Sequence, residues 1–153
     1  MVMQSYKGGA KMILKQLSVL IENKKGSLAE VTSMLKDKDI NIRAIAAFDT
    51  PDYGILRLIV DVPERAKDAL EECGYGVVLT DVIAVELEDE KGALNGILTV
   101  LEEEDLQIEY IYSFVIRNHA SPLMILKVND LDQAISILGD NKIKVANRND
   151  IHK

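Results

Sequence analysis

Residues Glu22–Leu28 read ENKKGSL, and Glu88–Leu94 read EDEKGAL. The second stretch follows the first by 66 residues. Aligning Asn23–Phe48 with Asp89–Phe114 gives 26 ungapped positions, eight of them identical. They include Lys25/Lys91, Gly26/Gly92, Leu28/Leu94, Leu35/Leu101, Asp39/Asp105 and Phe48/Phe114. The register extends upstream, where Leu17, Val19 and Ile21 match Ile83, Val85 and Leu87. Downstream the offset becomes 68, with Leu58 and Val60 matching Leu126 and Val128, so the second copy carries two extra residues near RNHASP. Self-similarity at a fixed period marks a duplicated structural unit.

Each copy has one reading. Leu17, Val19 and Ile21 alternate with polar residues, as in a strand with one buried face. After the loop, Leu28, Val31 and Leu35 recur at helical spacing, and Ser27-x-x-Glu30 predicts a capping box. NIRAIAAF is a second strand, TPDYG a turn and ILRLIVDV a third strand. Pro63 opens a second helix with an apolar stripe at Ala66, Ala69, Leu70 and Cys73; Gly74 and Gly76 end it, and VVL is a fourth strand. The order βαββαβ, twice, predicts an α+β fold: two tandem ferredoxin-like modules, each an antiparallel sheet with helices on one face. The predicted boundaries are a disordered leader at 1–12, module one at 13–80 and module two at 81–149. YKGGAKM, back-translated, resembles a purine-rich ribosome-binding tract, which makes Met12 a candidate start.

Composition narrows the function. Apolar residues make up 48% and charged residues 28%, as in an ordinary globular protein. No apolar run reaches the roughly 18 residues of a membrane span. The formal net charge of −7 argues against a nucleic-acid partner. An RNA-recognition module of the same topology would need aromatics on its third strand, where ILRLIVDV has none. The single Cys73 allows no internal disulfide, and a reducing cytoplasm is the expected setting. His119 and His152 are isolated, so no metal site is expected. No nucleophile–base set, paired-carboxylate motif or phosphate-binding glycine motif appears, so the chain is read as a non-enzyme without cofactor. Tyr110, Tyr112 and Phe114, at period two, are read as core packing in preference to pocket lining. LEEED, at a helix end, is read as a solvated face.

The loop admits two readings. A glycine between strand and helix supplies a turn other residues make at a cost. The first helical amides, lacking internal partners at the positive end of the helix dipole, also accept an anion.

The βαββαβ module, with ENKKGSLAEV in its first loop and INI at its second strand, resembles an ACT domain, a regulatory module that most often binds amino acids. The resemblance spans nearly all of residues 13–149 as two copies. It implies a non-catalytic regulatory protein binding a free amino acid at the strand-to-helix loops and the interface between modules. The alternative it implies is the regulatory small subunit of a separate enzyme of amino-acid metabolism. Family practice also implies side-by-side pairing through second strands, within the chain or in a homodimer. In the serine-sensing ACT domain of phosphoglycerate dehydrogenase, ligand contacts come from two asparagines, matched here by Asn23 and Asn41. The implied ligand-binding residues are Asn23, Lys25, Gly26, Ser27, Leu28 and Asn41 in copy one, and Asp89, Lys91, Gly92, Ala93 and Leu94 in copy two. Three departures stand out. Lys25 and Lys91 replace the usual loop proline. Ile21 replaces a histidine, which argues against serine. Asp89 and Gln107 replace the two asparagines, so copy one is expected to hold the better site, or the two sites to be unequal.

Overall fold

A computed structural model describes residues 9–49, 52–114 and 122–153. Residues 1–8 of the expected leader, the start of the TPDYG turn, and most of RNHASP with His119 lie outside the described residues. The elements run β1 (Leu14–Glu22), α1 (Ser27–Asp37), β2 (Ile42–Asp49), β3 (Tyr53–Val60), α2 (Pro63–Glu72), β4 (Gly76–Glu86), α3 (Ala93–Glu103), β5 (Ile108–Ser113), β6 (Leu123–Val128), α4 (Leu131–Asp140) and α5 (Arg148–Ile151). The chain divides into two compact units: Lys15–Thr80 with His152 and Lys153, and Asp81–Ile151 with the N-terminal residues up to Leu14. β4 runs across the division between Thr80 and Asp81.

In the first unit β1 and β2 both pair antiparallel with β3, and the strand order is β2-β3-β1-β4. In the second, β6 pairs antiparallel with both β4 and β5, and Val85 bridges to Val145 on the other side. Both are the ferredoxin-like arrangement expected of βαββαβ. Alternation along β1 buries Leu17, Val19 and Ile21, which meet Val31 and Leu35 of α1 and Ala66 and Leu70 of α2. The second core repeats this with Ile83 and Val85, Ile97 and Leu101, and Ala134 and Leu138. Gly9 to Met12 form a turn closed by Met12 N–H to the Gly9 carbonyl at 3.0 Å, and Met12 and Ile13 pack on that second core.

All four long helices stop the same way. Asp39, Gly74, Asp105 and Lys142 adopt positive φ one residue past the cap. The next residues, Ile40, Tyr75, Leu106 and Ile143, donate to the carbonyls of Leu35, Leu70, Leu101 and Leu138 at 2.9–3.1 Å. This is the Schellman arrangement, which uses carbonyls the helix itself leaves unpaired.

Two local expectations are corrected. Gly26, left-handed at φ 90°, caps α1, and no side-chain cap bond forms. The helix thus begins one residue earlier than a Ser27 cap requires. The shift turns Ser27 inward with Val31 and Leu35, and leaves Leu28 44% exposed instead of in the stripe. Cys73 is exposed, because α2 ends at Glu72 and Cys73 is its cap, past the buried stripe. Within each unit the second strand is bonded on one side, β2 by β3 and β5 by β6. β5 gives the second core Ile108 and Ile111, while Tyr112 and Phe114, read as core packing, are buried outside that cluster, and the Tyr110 and Tyr112 rings stack at 6.3 Å.

Candidate functional site

The two loops fold alike. In the first, Lys24 N–H bonds the Glu22 carbonyl at 2.9 Å, Ser27 N–H the Lys24 carbonyl at 3.3 Å, and Glu30 N–H the Gly26 carbonyl at 3.0 Å. In the second, Glu90 bonds Glu88 at 2.9 Å, Ala93 bonds Glu90 at 3.3 Å, and Gly96 bonds Gly92 at 2.9 Å. Gly26 at φ 90° and Gly92 at φ 83° make the turn into the helix. A Cβ built on either would meet no atom within 4 Å. The backbone angle therefore demands glycine, and the space before each helix is open. Neither α1 nor α3 has a side-chain cap. The first amides, of Ser27 and Ala93, are bonded within the loops at 3.3 Å, and the helix starts they belong to carry the positive end of the dipole, which accepts an anion.

The expected site residues fall into separate groups. Asn23, Ser27 and Leu28 line a shallow hollow of about 220 Å³ with Ile21, Ala47 and Phe48. Lys25 is exposed, and the neighbouring Lys24 pairs with Glu22 at 3.1 Å in water. Asn41 lies at the other end of the sheet. Glu22 is level with Tyr53 of β3, whereas Ile42 is level with Val60, so roughly 23 Å of strand separates the loop from Asn41. Within one unit Asn23 and Asn41 are not brought together. Asn41 is exposed, and its backbone is engaged: its N–H donates to Asp61 Oδ1 at 3.0 Å, and its carbonyl accepts from Asp61 N–H at 3.1 Å. Gln107 repeats this with Asn129 at 3.0 and 3.2 Å. In the second loop Lys91, Gly92 and Ala93 line a cleft of about 420 Å³, while Asp89 and Leu94 are exposed beside it.

That cleft, on the flank of the loop towards the end of the second helix, was not foreseen. The first unit has its counterpart, of about 260 Å³. Glu22, Lys24, Ser27, Glu30 and Tyr75 line the first; the equivalent Glu88, Glu90, Ala93, Gly96 and Ile143 line the second. Burial, with a hydrogen bond to the Glu30 carboxylate, pushes the Tyr75 phenol above its ordinary pKa. Gly96 lies inside α3, where glycine costs about 1 kcal/mol relative to alanine. A Cβ there would meet nothing within 4 Å. The signal was the Glu30/Gly96 pair in the repeat alignment, an unforced glycine in a helix.

His152 is also more than an isolated terminal residue. Lys15 N–H donates to its Nε2 at 3.0 Å, and its Nδ1 lies 2.8 Å from the Val60 carbonyl. Among the described residues no group of His, Cys, Asp and Glu is placed to hold a metal ion, and no helix is long and apolar enough to cross a membrane.

The sequence matches the family model described as an ACT domain pair over residues 12–153. It is 35% identical to protein BT0572 from Bacteroides thetaiotaomicron, whose crystal structure superposes with a TM-score of 0.85 over 92% of this chain and 96% of that one. The ligand-free regulatory subunit of aspartate kinase from Thermus thermophilus is 17% identical, with a TM-score of 0.61 over 85% of this chain and 92% of that one. Its Thermus flavus counterpart is 14% identical, with a TM-score of 0.57 over 84% and 95%. At those identities the two subunits share the fold alone. None of the curated proteins compared with the sequence matches it.

Proposed function

The chain belongs to the ACT domain pair family, a regulatory family, and from that premise we propose that it is a non-catalytic regulator that binds a free amino acid at its strand-to-helix loops. The observation that carries the reading is the repeated loop. Gly26 and Gly92 each turn an uncapped helix start towards open space. The amides of Gly26–Leu28 and Gly92–Leu94 offer a place for the ligand carboxylate. Asn23, exposed beside the first of them, can both donate and accept, as a zwitterion requires. Asn41 would join such a site across a homodimer. β2 is a terminal strand of its sheet. Antiparallel pairing of two such edges sets the start of one β2 against the end of the other. Asn41 of one chain would then approach the partner's loop, and Phe48 and Leu28, 46% and 44% exposed, would be covered. The proposed setting is the cytoplasm, where the exposed Cys73 thiol stays reduced.

Thermal shift with the full set of standard amino acids tests the reading. A ligand that binds only the folded chain adds about 2.7 kcal/mol of stability at a hundredfold excess over Kd. At least one amino acid is expected to raise the melting midpoint. If none does, while nucleotides or other metabolites do, the assignment is wrong.

A further inference from the structure

The clefts flanking the two loops occupy equivalent positions but have diverged. In the first unit Glu30 and Tyr75 hydrogen-bond to each other across the cleft. In the second those positions are Gly96 and Ile143, and the space is larger, about 420 against 260 Å³. Gly96 has no backbone reason to be glycine, since its φ is not positive. It has no packing reason either, since an added Cβ would meet nothing. Gly139 inside α4 is equally unconstrained, but Gly96 lines the cleft, and its effect there is to leave the cleft mouth unfilled. The cleft is lined by charge of both signs and by apolar side chains. Glu88 and Glu90 supply carboxylates, Lys91 and Lys142 supply ammonium groups, and Ile97 and Val100 supply apolar surface.

We propose that the second unit's cleft is a site for an amino acid with an apolar side chain, held open by Gly96, and that the first unit's equivalent is narrowed by Tyr75 and Glu30. The ligand carboxylate meets the loop amide end at Gly92 with Lys91 and Lys142 beside it, its ammonium meets Glu88 and Glu90, and its side chain rests on Ile97, Val100 and Ile143. The proposal rests on the reading that the loops bind free amino acids, and narrows it to one unit and one ligand class.

Calorimetry on the full chain tests it, with L-valine, L-leucine and L-isoleucine as probes and L-aspartate and L-lysine as charged comparators. Gly96→Glu restores the first unit's residue and is a better helix former than glycine. Asn95→Glu adds the same charge one position away, outside the cleft lining. Wild type is expected to bind an apolar amino acid at least about tenfold more tightly than either charged one. Gly96→Glu is expected to weaken that binding about tenfold or more without lowering the melting midpoint of the free protein, and Asn95→Glu to leave it unchanged. If Gly96→Glu does not fold, Gly96→Ala replaces it, with melting midpoint raised and affinity lowered. Binding unchanged in the Gly96 variant, equal loss in Asn95→Glu, or preference for a charged amino acid overturns the cleft assignment and leaves the loop reading standing. No binding of any standard amino acid to wild type overturns both.

Discussion

Asp61 is one of the few buried polar side chains, at 5% exposure, and its carboxylate is engaged by the Asn41 N–H. Asn129 does the same work in the second unit, bonding the Gln107 N–H at 3.0 Å. The bond needs an acceptor oxygen and no charge. Asp61→Asn is therefore expected to be tolerated. Asp61→Ala leaves the Asn41 amide without its partner and is expected to cost about 1–3 kcal/mol in chemical denaturation. A loss as large in Asp61→Asn as in Asp61→Ala would mean the charge itself matters. At this scale the sequence was least legible. Asn41 and Gln107 stood out as polar residues at a strand start, but their main-chain partners come from 20 and 22 residues downstream. Such long-range pairs follow from strand register, which a side-chain pattern does not state. The same holds for His152, which meets Lys15 over a separation of 137 residues.

Helix ends show where pattern reading succeeds and where it stops. Gly74 was legible as a terminator because a left-handed residue is most often glycine. Asp39 and Asp105 match in the repeat, yet nothing in an aspartate announces φ of 57° and 61°; Lys142, at 60°, is less legible still. The helix start misled for a related reason. Ser27-x-x-Glu30 has the composition of a capping box, but the neighbouring glycine takes the left-handed turn first and moves the start back by one residue. These positions carry opposite expectations. Asp105→Gly relieves a side chain held in the left-handed region and is expected to raise stability by up to about 1 kcal/mol. Gly26→Ala imposes that strain and is expected to lower it by about 1–2 kcal/mol, although the added methyl has room. Movement of the two melting midpoints in opposite directions checks the account. A neutral Gly26→Ala would show that the turn does not depend on glycine.

The chain is a duplication whose halves kept their cores and their loop turns and changed the residues flanking the loops. Leu35 and Leu101, Leu58 and Leu126, and Leu70 and Leu138 are each fully buried at corresponding places. The fold was legible because burial repeats with the alternation and helical spacing that fix it. The loop flanks were less so, because a cleft is made by residues from two separate turns. The alignment pairs Glu30 with Gly96 and Tyr75 with Ile143 without showing that the four positions line equivalent spaces. A free amino acid is proposed to bind at the strand-to-helix loops. Amide-resolved NMR titration of the full chain with the amino acid that most raises its melting midpoint tests this most directly. The account predicts saturable shifts concentrated at the loop amides of Gly26–Leu28, Gly92–Leu94 or both. Saturable shifts confined to residues remote from both loops, or no shifts at millimolar amino acid, would contradict it.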